Sequence, residues 1–267
     1  MKKILVPYDF SPQARVGAKM ACQLSNLYDC FVELINVVGF RNETIIRHEL
    51  IAQEEDRLKA LIKELPIVKD RITFRVLSGK FLSTILEVLS EEDVEMMVMG
   101  TKGSSGISEW VLGSNAEKLV HYCNRPVLTI KHAMSLDKVK KIVYATDLAD
   151  EQEKIVKELK RFQKNLKAHL YILAVLMDEQ NVSRGEVRKR MVEFAQKHQF
   201  ENYSLNTIND INEEEGIFSF VSGINADIIA MATHSRRGLN YLFKGSVAES
   251  IVNHVKRAAV WTMSLRA

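Results

Sequence analysis

The sequence predicts an α/β protein made of two similar domains. Its 267 residues are too many for one small domain and suit two of ordinary size. Short apolar runs alternate along the chain with amphipathic stretches of helical period, as in βαβ units with a parallel sheet. An internal repeat is the third observation, because residues 2–10 recur in similar form at 140–148. Two copies of one domain explain these patterns better than a single large domain.

Three further pairs of segments show how far the duplication extends. Residues 94–100 recur at 226–232, Gly113-Ser114 recurs at 245–246, and 124–128 recurs at 256–260. The offset is 138 residues at the first pair and 132 at the later ones, so the second copy is shorter in its middle. We therefore predict one domain at residues 1–133 and a second at residues 139–267.

The predicted strands are short runs rich in Val, Ile, Leu and Met, which is typical of parallel strands buried on both faces. They lie at residues 3–8, 31–38, 71–77, 95–100 and 126–131, and then at 141–145, 169–175, 201–208, 227–232 and 259–264. Helical patterns separate them, and Ser11-Pro12 predicts the start of the first helix, with Ser as N-cap. Right-handed crossovers then place helices on both faces of each sheet.

The charge and cysteine content exclude several classes of protein. There are 37 Lys and Arg against 34 Asp and Glu, so the net charge of +3 indicates neither a nucleic-acid nor a membrane partner. No apolar run approaches the roughly 18 residues of a spanning helix, and no signal-peptide cleavage site follows the start. Cys22, Cys30 and Cys123 are few, odd in number and not spaced as zinc ligands. They indicate reduced thiols, so we predict a cytoplasmic protein.

A glycine-rich segment is the most specific motif. Gly100 and Gly103 stand three residues apart, and after nine intervening residues Gly113-Ser114 opens a predicted helix. Glycines let backbone N–H groups approach a ligand, and the start of a helix presents unpaired N–H groups that favour phosphate. Lys102 adds a positive charge. The spacing is neither that of a Walker A loop nor Gly-x-Gly-x-x-Gly, and a turn that only connects strand to helix is the alternative.

This motif resembles the nucleotide-binding signature of the universal stress protein family. Residues 4–11 resemble the opening strand of that family, and 124–128 resemble its closing strand. Because the likeness occurs once in each half, the chain resembles a tandem member. The resemblance implies two Rossmann-like domains of the adenine nucleotide alpha hydrolase type. Each would have a five-stranded parallel sheet of order 3-2-1-4-5 with helices on both faces.

The resemblance also implies a site for ATP, with or without Mg²⁺, in the first half. Asp9 matches the acid that lines the adenosine pocket, with Pro7 beside it, and Val37 matches the residue whose backbone meets the adenine edge. The phosphate end comprises Gly100, Lys102, Gly103, Gly113, Ser114 and Asn115. Two of these residues have simpler explanations, since Asp9 and Ser114 also fit as helix caps. Asn36 stands where the family often has His, and we expect little consequence.

The second half departs from the signature. Ala232 and Ser235 replace its first two glycines, whereas Gly245 and Ser246 are kept. A side chain at 235 disfavours positive φ and crowds a phosphate. Asp147 and Val175 keep the adenosine-end matches, and Arg236, Arg237 and Lys244 make the segment basic. We therefore expect no nucleotide in this half; the alternatives are a segment closed on itself or one adapted to another anion.

Taken together, the residues predict an ATP-binding regulatory module rather than an enzyme. No catalytic set and no metal-ligand set stands out in the sequence. The alternatives are a nucleotide-free interaction module, a slow ATPase or a related α/β nucleotide-dependent enzyme. The expected partners are an adenine nucleotide and an unidentified protein. The resemblance further suggests that residues 126–131 and 259–264 pair within the chain as a pseudo-dimer, with a homodimer of the chain as a further option.

Overall fold

The computed structural model describes residues 2–39, 44–101, 114–149, 152–177, 183–233, 247–255 and 257–264. The chain divides into two compact units, Met1–Leu136 and Asp137–Ala267. Each unit is an α/β domain with a parallel sheet, so the predicted fold class is confirmed. Among the described residues, no helix is both long and apolar enough to cross a membrane.

The first unit has five parallel strands in the order β3-β2-β1-β4-β5. The strands are β1 Lys3–Pro7, β2 Phe31–Val38, β3 Ile72–Ser78, β4 Val94–Gly100 and β5 Val127–Ile130. The helices are α1 Pro12–Tyr28, α2 Thr44–Ile62, α3 Phe81–Glu91 and α4 Ser114–Tyr122. The central strands are almost wholly buried, which explains why their sequences are apolar without alternation.

The second unit repeats this architecture in the order β8-β7-β6-β9-β10, which is again 3-2-1-4-5 counted from its own first strand. The strands are β6 Lys141–Ala145, β7 His169–Leu176, β8 Tyr203–Asn209, β9 Ile228–Thr233 and β10 Ala259–Ser264. The helices are α5 Glu153–Leu166, α6 Arg184–Lys197, α7 Glu213–Ile224 and α8 Val247–His254.

The start of α1 shows how local sequence sets the elements. Ser11 is extended, and its hydroxyl accepts a hydrogen bond from the Ala14 N–H at 3.1 Å. Pro12 occupies the first helical position, where its missing N–H has no partner to lose. The helix ends at Asp29 with φ of 50°, in the left-handed region that closes many helices. The predicted N-cap is therefore confirmed.

An ion cluster links β1, β2, β3 and the end of α3 in the first unit. The Lys3 amine lies 2.8 Å from the Glu33 carboxylate and also contacts Glu92. The Arg75 guanidinium lies 2.6 Å from Glu33 and 2.9 Å from Glu92. Glu33 is buried, and these two cations supply its hydrogen-bonding partners.

The strand order fixes where a ligand crevice lies. Strand β1 has β2 on one side and β4 on the other. The succession of strands along the chain therefore runs from β1 toward one edge of the sheet and then, from β4, toward the other edge. Ligands of open α/β sheets bind at this switch point, beyond the carboxyl ends of the strands. The residues at the carboxyl ends of β1, β2 and β4 are therefore the candidate ligand-binding residues.

Candidate functional site

The chain turns sharply away from the sheet just after β1. Asp9 is exposed, and its Oδ1 accepts a hydrogen bond from the Ser11 N–H at 3.0 Å. Phe10 has φ of 63°, a left-handed conformation that is uncommon for an aromatic residue. Its ring lies 5.2 Å from the Tyr8 ring and 3.8 Å from the Arg57 guanidinium carbon, which hold it in place. The helix cap is Ser11, so Asp9 fixes the preceding turn instead.

Pro7 ends β1 at the switch point. The pairing of β1 with β2 continues to Pro7, whereas its pairing with β4 stops at Leu5. The N–H of residue 7 would point toward β4, and because proline has no N–H, this donor to β4 is missing. In the second unit, Ala145 stands at this position and pairs with Met231 of β9. Pro7 therefore lacks a ladder donor at the position where the second unit still pairs its strands.

Val37 lies at the end of β2 and is half-buried. The last bond from β1 to this strand runs from the Tyr8 N–H to the Ile35 carbonyl, at 2.8 Å. The next would join the Val37 N–H to the Tyr8 carbonyl, and within the described ranges it is not formed. The Val37 N–H therefore points beyond the end of β1, in agreement with a backbone contact to a ligand. The second unit has the same arrangement at this point. Val175 is also half-buried, and the bond from the Thr146 N–H to the Leu173 carbonyl, at 3.1 Å, corresponds to the bond from Tyr8 to Ile35.

Gly100 ends β4 and lies directly against α1. A β-carbon there would be 1.7 Å from the Gln13 carbonyl oxygen, and one on Gly17 would be 2.7 Å from the Gly100 nitrogen. Helix and strand approach this closely because both residues lack side chains. The sequence interpretation assigned Gly100 to ligand access, and the structure adds a packing reason that the motif did not reveal.

The second unit has Ala232 at the position of Gly100, and its helix α5 begins later than α1. Helix α5 begins at Glu153, three residues later than α1 by the repeat offset. Gln152, which corresponds to Ala14 inside α1, is only the N-cap of α5, with φ of −97° and ψ of 12°.

Most of the phosphate end cannot be placed. Lys102, Gly103 and Gly113 lie outside the described residues. Ser114 and Asn115 form the first turn of α4, but their side chains also lie outside the description. The N–H of Thr101 bonds to the Ile130 carbonyl at 2.9 Å, so the glycine segment starts beside the end of β5. The start of α4 follows β4 in the chain, as a helix that receives phosphate would.

A buried polar network engages the acid of the second unit, and sequence reasoning missed it. Gln152 is 2% exposed, and its Nε2 donates to the Asp147 carboxylate at 2.6 Å. Its Oε1 accepts from the Thr146 hydroxyl at 2.9 Å and from the Tyr144 hydroxyl. Burial raises the pKa of Tyr144, so this hydroxyl stays a donor. The signal was present in the sequence, because polar Tyr144 and Gln152 replace Val6 and Ala14 of the first half.

Other groups in the described structure add no chemistry to this edge. All three cysteines are free and buried, and burial raises the pKa of the Cys22 and Cys123 thiols to about 11. A thiol with so high a pKa is a poor nucleophile at neutral pH. Within the described ranges, no three His, Cys, Asp or Glu side chains are grouped to hold a metal ion.

These observations define a class of protein, namely a tandem α/β protein in which the β1–β4 pairing ends early at the switch point of the first sheet. A model of the universal stress protein family matches residues 1–131 and again residues 138–260. The chain therefore belongs to the universal stress protein family, as a member with two copies of the domain.

Individual relatives agree with this arrangement. Universal stress protein MJ0577 of Methanocaldococcus jannaschii is 26% identical over 159 residues, which cover 50% of this chain and 97% of that protein. Universal stress protein MJ0531 of the same organism is 29% identical over 139 residues, or 49% of this chain and 82% of that one. The crystal structure of a universal stress protein from Archaeoglobus fulgidus has a TM-score of 0.78 at 18% identity and covers 98% of both chains. The last likeness shows that the fold recurs over the full length.

Proposed function

We propose that the first unit binds an adenine nucleotide, with ATP as the preferred ligand, in the crevice beyond β1 and β4. One observation carries the proposal: the β1–β4 pairing ends early, at Leu5, beside an exposed acid and an unpaired strand amide. The crevice lies at the switch point, where α/β sheets bind their ligands. The glycine signature follows β4 at the same edge.

Each group at this edge suits one part of the nucleotide. A carboxylate only accepts hydrogen bonds, so Asp9 suits the donors of adenosine, which are its ribose hydroxyls and its amino group. The Val37 N–H is a donor and suits a ring nitrogen of the base. The start of α4, the glycines and Lys102 suit the phosphates, whose charge favours the positive end of a helix dipole. Mg²⁺ would enter with the phosphates rather than as a resident ion.

The second unit, by this proposal, binds no adenine nucleotide. Its acid is engaged by Gln152, its β6–β9 pairing extends to Ala145, and Ser235 replaces a signature glycine. All three differences act against the ligand at the same edge. We expect one nucleotide per chain.

The proposed role is regulation in the cytoplasm, through a protein partner that recognises the nucleotide state, rather than turnover. The groups at the crevice are amides, glycines and one anchored carboxylate, which bind rather than transfer protons. The pairing of residues 126–131 with residues 259–264, the closing strands of the two halves, stays a prediction.

The test begins with the purified full chain. Denaturing it and separating the released small molecules by chromatography identifies any nucleotide that co-purifies. Calorimetric titration with ATP, AMP and GTP, each with and without Mg²⁺, then gives affinity and stoichiometry. Gly103→Val should abolish ATP binding. Gly223→Val is the matched control, because a β-carbon at Gly223 has no neighbour within 4 Å.

Two results would contradict the proposal. One is a wild-type chain that neither carries nor binds an adenine nucleotide, which favours a nucleotide-free module. The other is equal ATP affinity in the wild type and the Gly103→Val variant. Phosphate release, followed in the same samples, separates binding from slow hydrolysis, and release well beyond one equivalent would favour an ATPase.

A further inference from the structure

Asn36 holds the peptide that carries Asp9. Its Nδ2 donates a hydrogen bond to the Tyr8 carbonyl at 2.8 Å, and that carbonyl belongs to the peptide joining Tyr8 to Asp9. In a continued ladder the donor to this carbonyl would be the Val37 N–H, which is turned to the crevice instead. The Asn36 side chain takes the place of the missing ladder donor, so a buried carbonyl keeps a partner where the strands separate.

Stability alone does not explain an asparagine here. Asn36 is 8% exposed, and its Oδ1 is buried without a hydrogen-bond partner. Leaving such an acceptor unpaired destabilises a protein by about 1–3 kcal/mol. Leucine has a similar size and no such acceptor, but it would also remove the donor to the Tyr8 carbonyl, so its two effects on stability oppose each other. The carboxamide is therefore best explained by what its other end does to the Tyr8 carbonyl.

The two units hold their acids by opposite means. In the second unit Ala174 stands at the position of Asn36, and Gln152 holds Asp147 through the carboxylate itself. In the first unit the support comes through the backbone, and the Asp9 side chain stays exposed. Both carboxylates are exposed, but that of Asp147 uses part of its hydrogen-bonding capacity on Gln152, whereas Asp9 has Ala14 at that position.

We propose that Asn36 is a positioning residue for Asp9, which it presents to the nucleoside by fixing the Tyr8–Asp9 peptide. The inference rests on the proposed function, and it assigns the support of Asp9 to the backbone, whereas Gln152 supports Asp147 through the carboxylate. It also revises the sequence expectation that asparagine at this position matters little.

The experiment compares ATP affinity with stability in three single variants and one double variant. Asn36→Leu should weaken ATP binding about tenfold, the effect of one charge-assisted hydrogen bond. Urea unfolding should show little change in stability, because removal of the unpaired Asn36 acceptor offsets the lost donor to the Tyr8 carbonyl. Asn36→His keeps an N–H donor and should retain most of the affinity. Because Asn36 acts through Asp9, the double variant Asn36→Leu/Asp9→Asn should bind ATP no more weakly than Asp9→Asn alone.

Three outcomes overturn the inference while leaving the proposed function intact. They are equal ATP affinity in wild type and Asn36→Leu, a loss in the double variant that multiplies the single losses, and an affinity loss matched by lost stability. If the wild type binds no ATP, a measurement without ligand still tests the positioning role of Asn36. The Ser11 amide resonance reports its bond to Asp9 Oδ1. It should shift in Asn36→Leu, and an unchanged resonance overturns the positioning role.

Discussion

The Gln152 side chain donates a hydrogen bond to the Asp147 carboxylate at 2.6 Å, within a network that also includes the Tyr144 hydroxyl. The equivalent acid of the first unit, Asp9, accepts from the Ser11 N–H and is exposed. Two acids at the same point of a duplicated fold therefore have different chemistry available. Both acids are exposed and both accept a hydrogen bond from a backbone amide of their own turn, but Asp147 also accepts one from Gln152, where the first unit has Ala14.

This difference predicts unequal effects of removing the two acids. Asp9→Ala should weaken ATP binding about tenfold or more, because a carboxylate bonded to ligand hydroxyls contributes at least that much. Asp147→Ala should leave ATP affinity within about twofold of wild type, but it should lower the unfolding free energy by about 1–2 kcal/mol, since Gln152 loses a buried partner. Calorimetry and urea unfolding measure the two effects. A reduced stoichiometry in Asp147→Ala would reveal a second nucleotide site, against our expectation.

The proline at position 7 predicts that a ladder donor added there weakens ATP binding. Pro7→Ala supplies an N–H that can extend the β1–β4 pairing as Ala145 does in the second unit. We expect weaker ATP binding, a protected amide at residue 7 in hydrogen exchange, and a stability change below about 1 kcal/mol. Ala145→Pro is the control; it should cost about 1–3 kcal/mol by removing a ladder donor and should not alter ATP affinity. Unchanged ATP affinity in Pro7→Ala would mean that the early end of the pairing is irrelevant to the ligand.

The packing of Gly100 on α1 predicts a large loss of stability when a methyl group is added. In Gly100→Ala the new β-carbon meets the Gln13 backbone oxygen, so helix or strand must move, and we expect about 3 kcal/mol of destabilisation. Ala232→Gly, at the repeat-related position, should cost only about 0.5–1 kcal/mol, from backbone entropy. Urea unfolding compares the two. Similar small effects would show that the close approach of α1 to β4 does not depend on glycine.

The ion cluster of the first unit predicts a pH-dependent contribution to stability. Burial acts to raise the pKa of Glu92, but hydrogen bonds from Lys3 and Arg75 outweigh it, so the pKa lies below its usual value of 4.5. A lowered carboxyl pKa stabilises the fold above the unfolded-state value, and this stability is lost as the pH falls through the folded-state value. Glu92→Gln should therefore cost about 1 kcal/mol at pH 7 and progressively less below about pH 4.5.

The matched control for this cluster is Asp56→Asn. It breaks an exposed pair with Lys59, and an exposed pair contributes little. Urea titrations from pH 3 to pH 7 give the comparison. A Glu92→Gln penalty that stays constant over this range would disprove the electrostatic account.

By itself the sequence determined the duplication, the fold class and the edge of the sheet on which to look. These features depend on local and periodic signals: apolar runs for buried parallel strands, Ser11-Pro12 for a helix start, and a glycine signature directly after a strand. They also marked Pro7, Asp9, Val37 and Gly100, all of which the structure places at the ends of β1, β2 and β4.

Only the tertiary structure decided what these residues touch. The bond from Asn36 to the Tyr8 carbonyl, the contact of Gly100 with α1, and the network of Gln152 join positions that are separated along the chain or lie on different elements. Hydrogen bonding and close packing depend on distances of a few tenths of an ångström, which residue spacing does not encode. The sequence therefore identified the edge where a nucleotide would bind, whereas the fold determined which of two similar acids is also bonded to a buried glutamine.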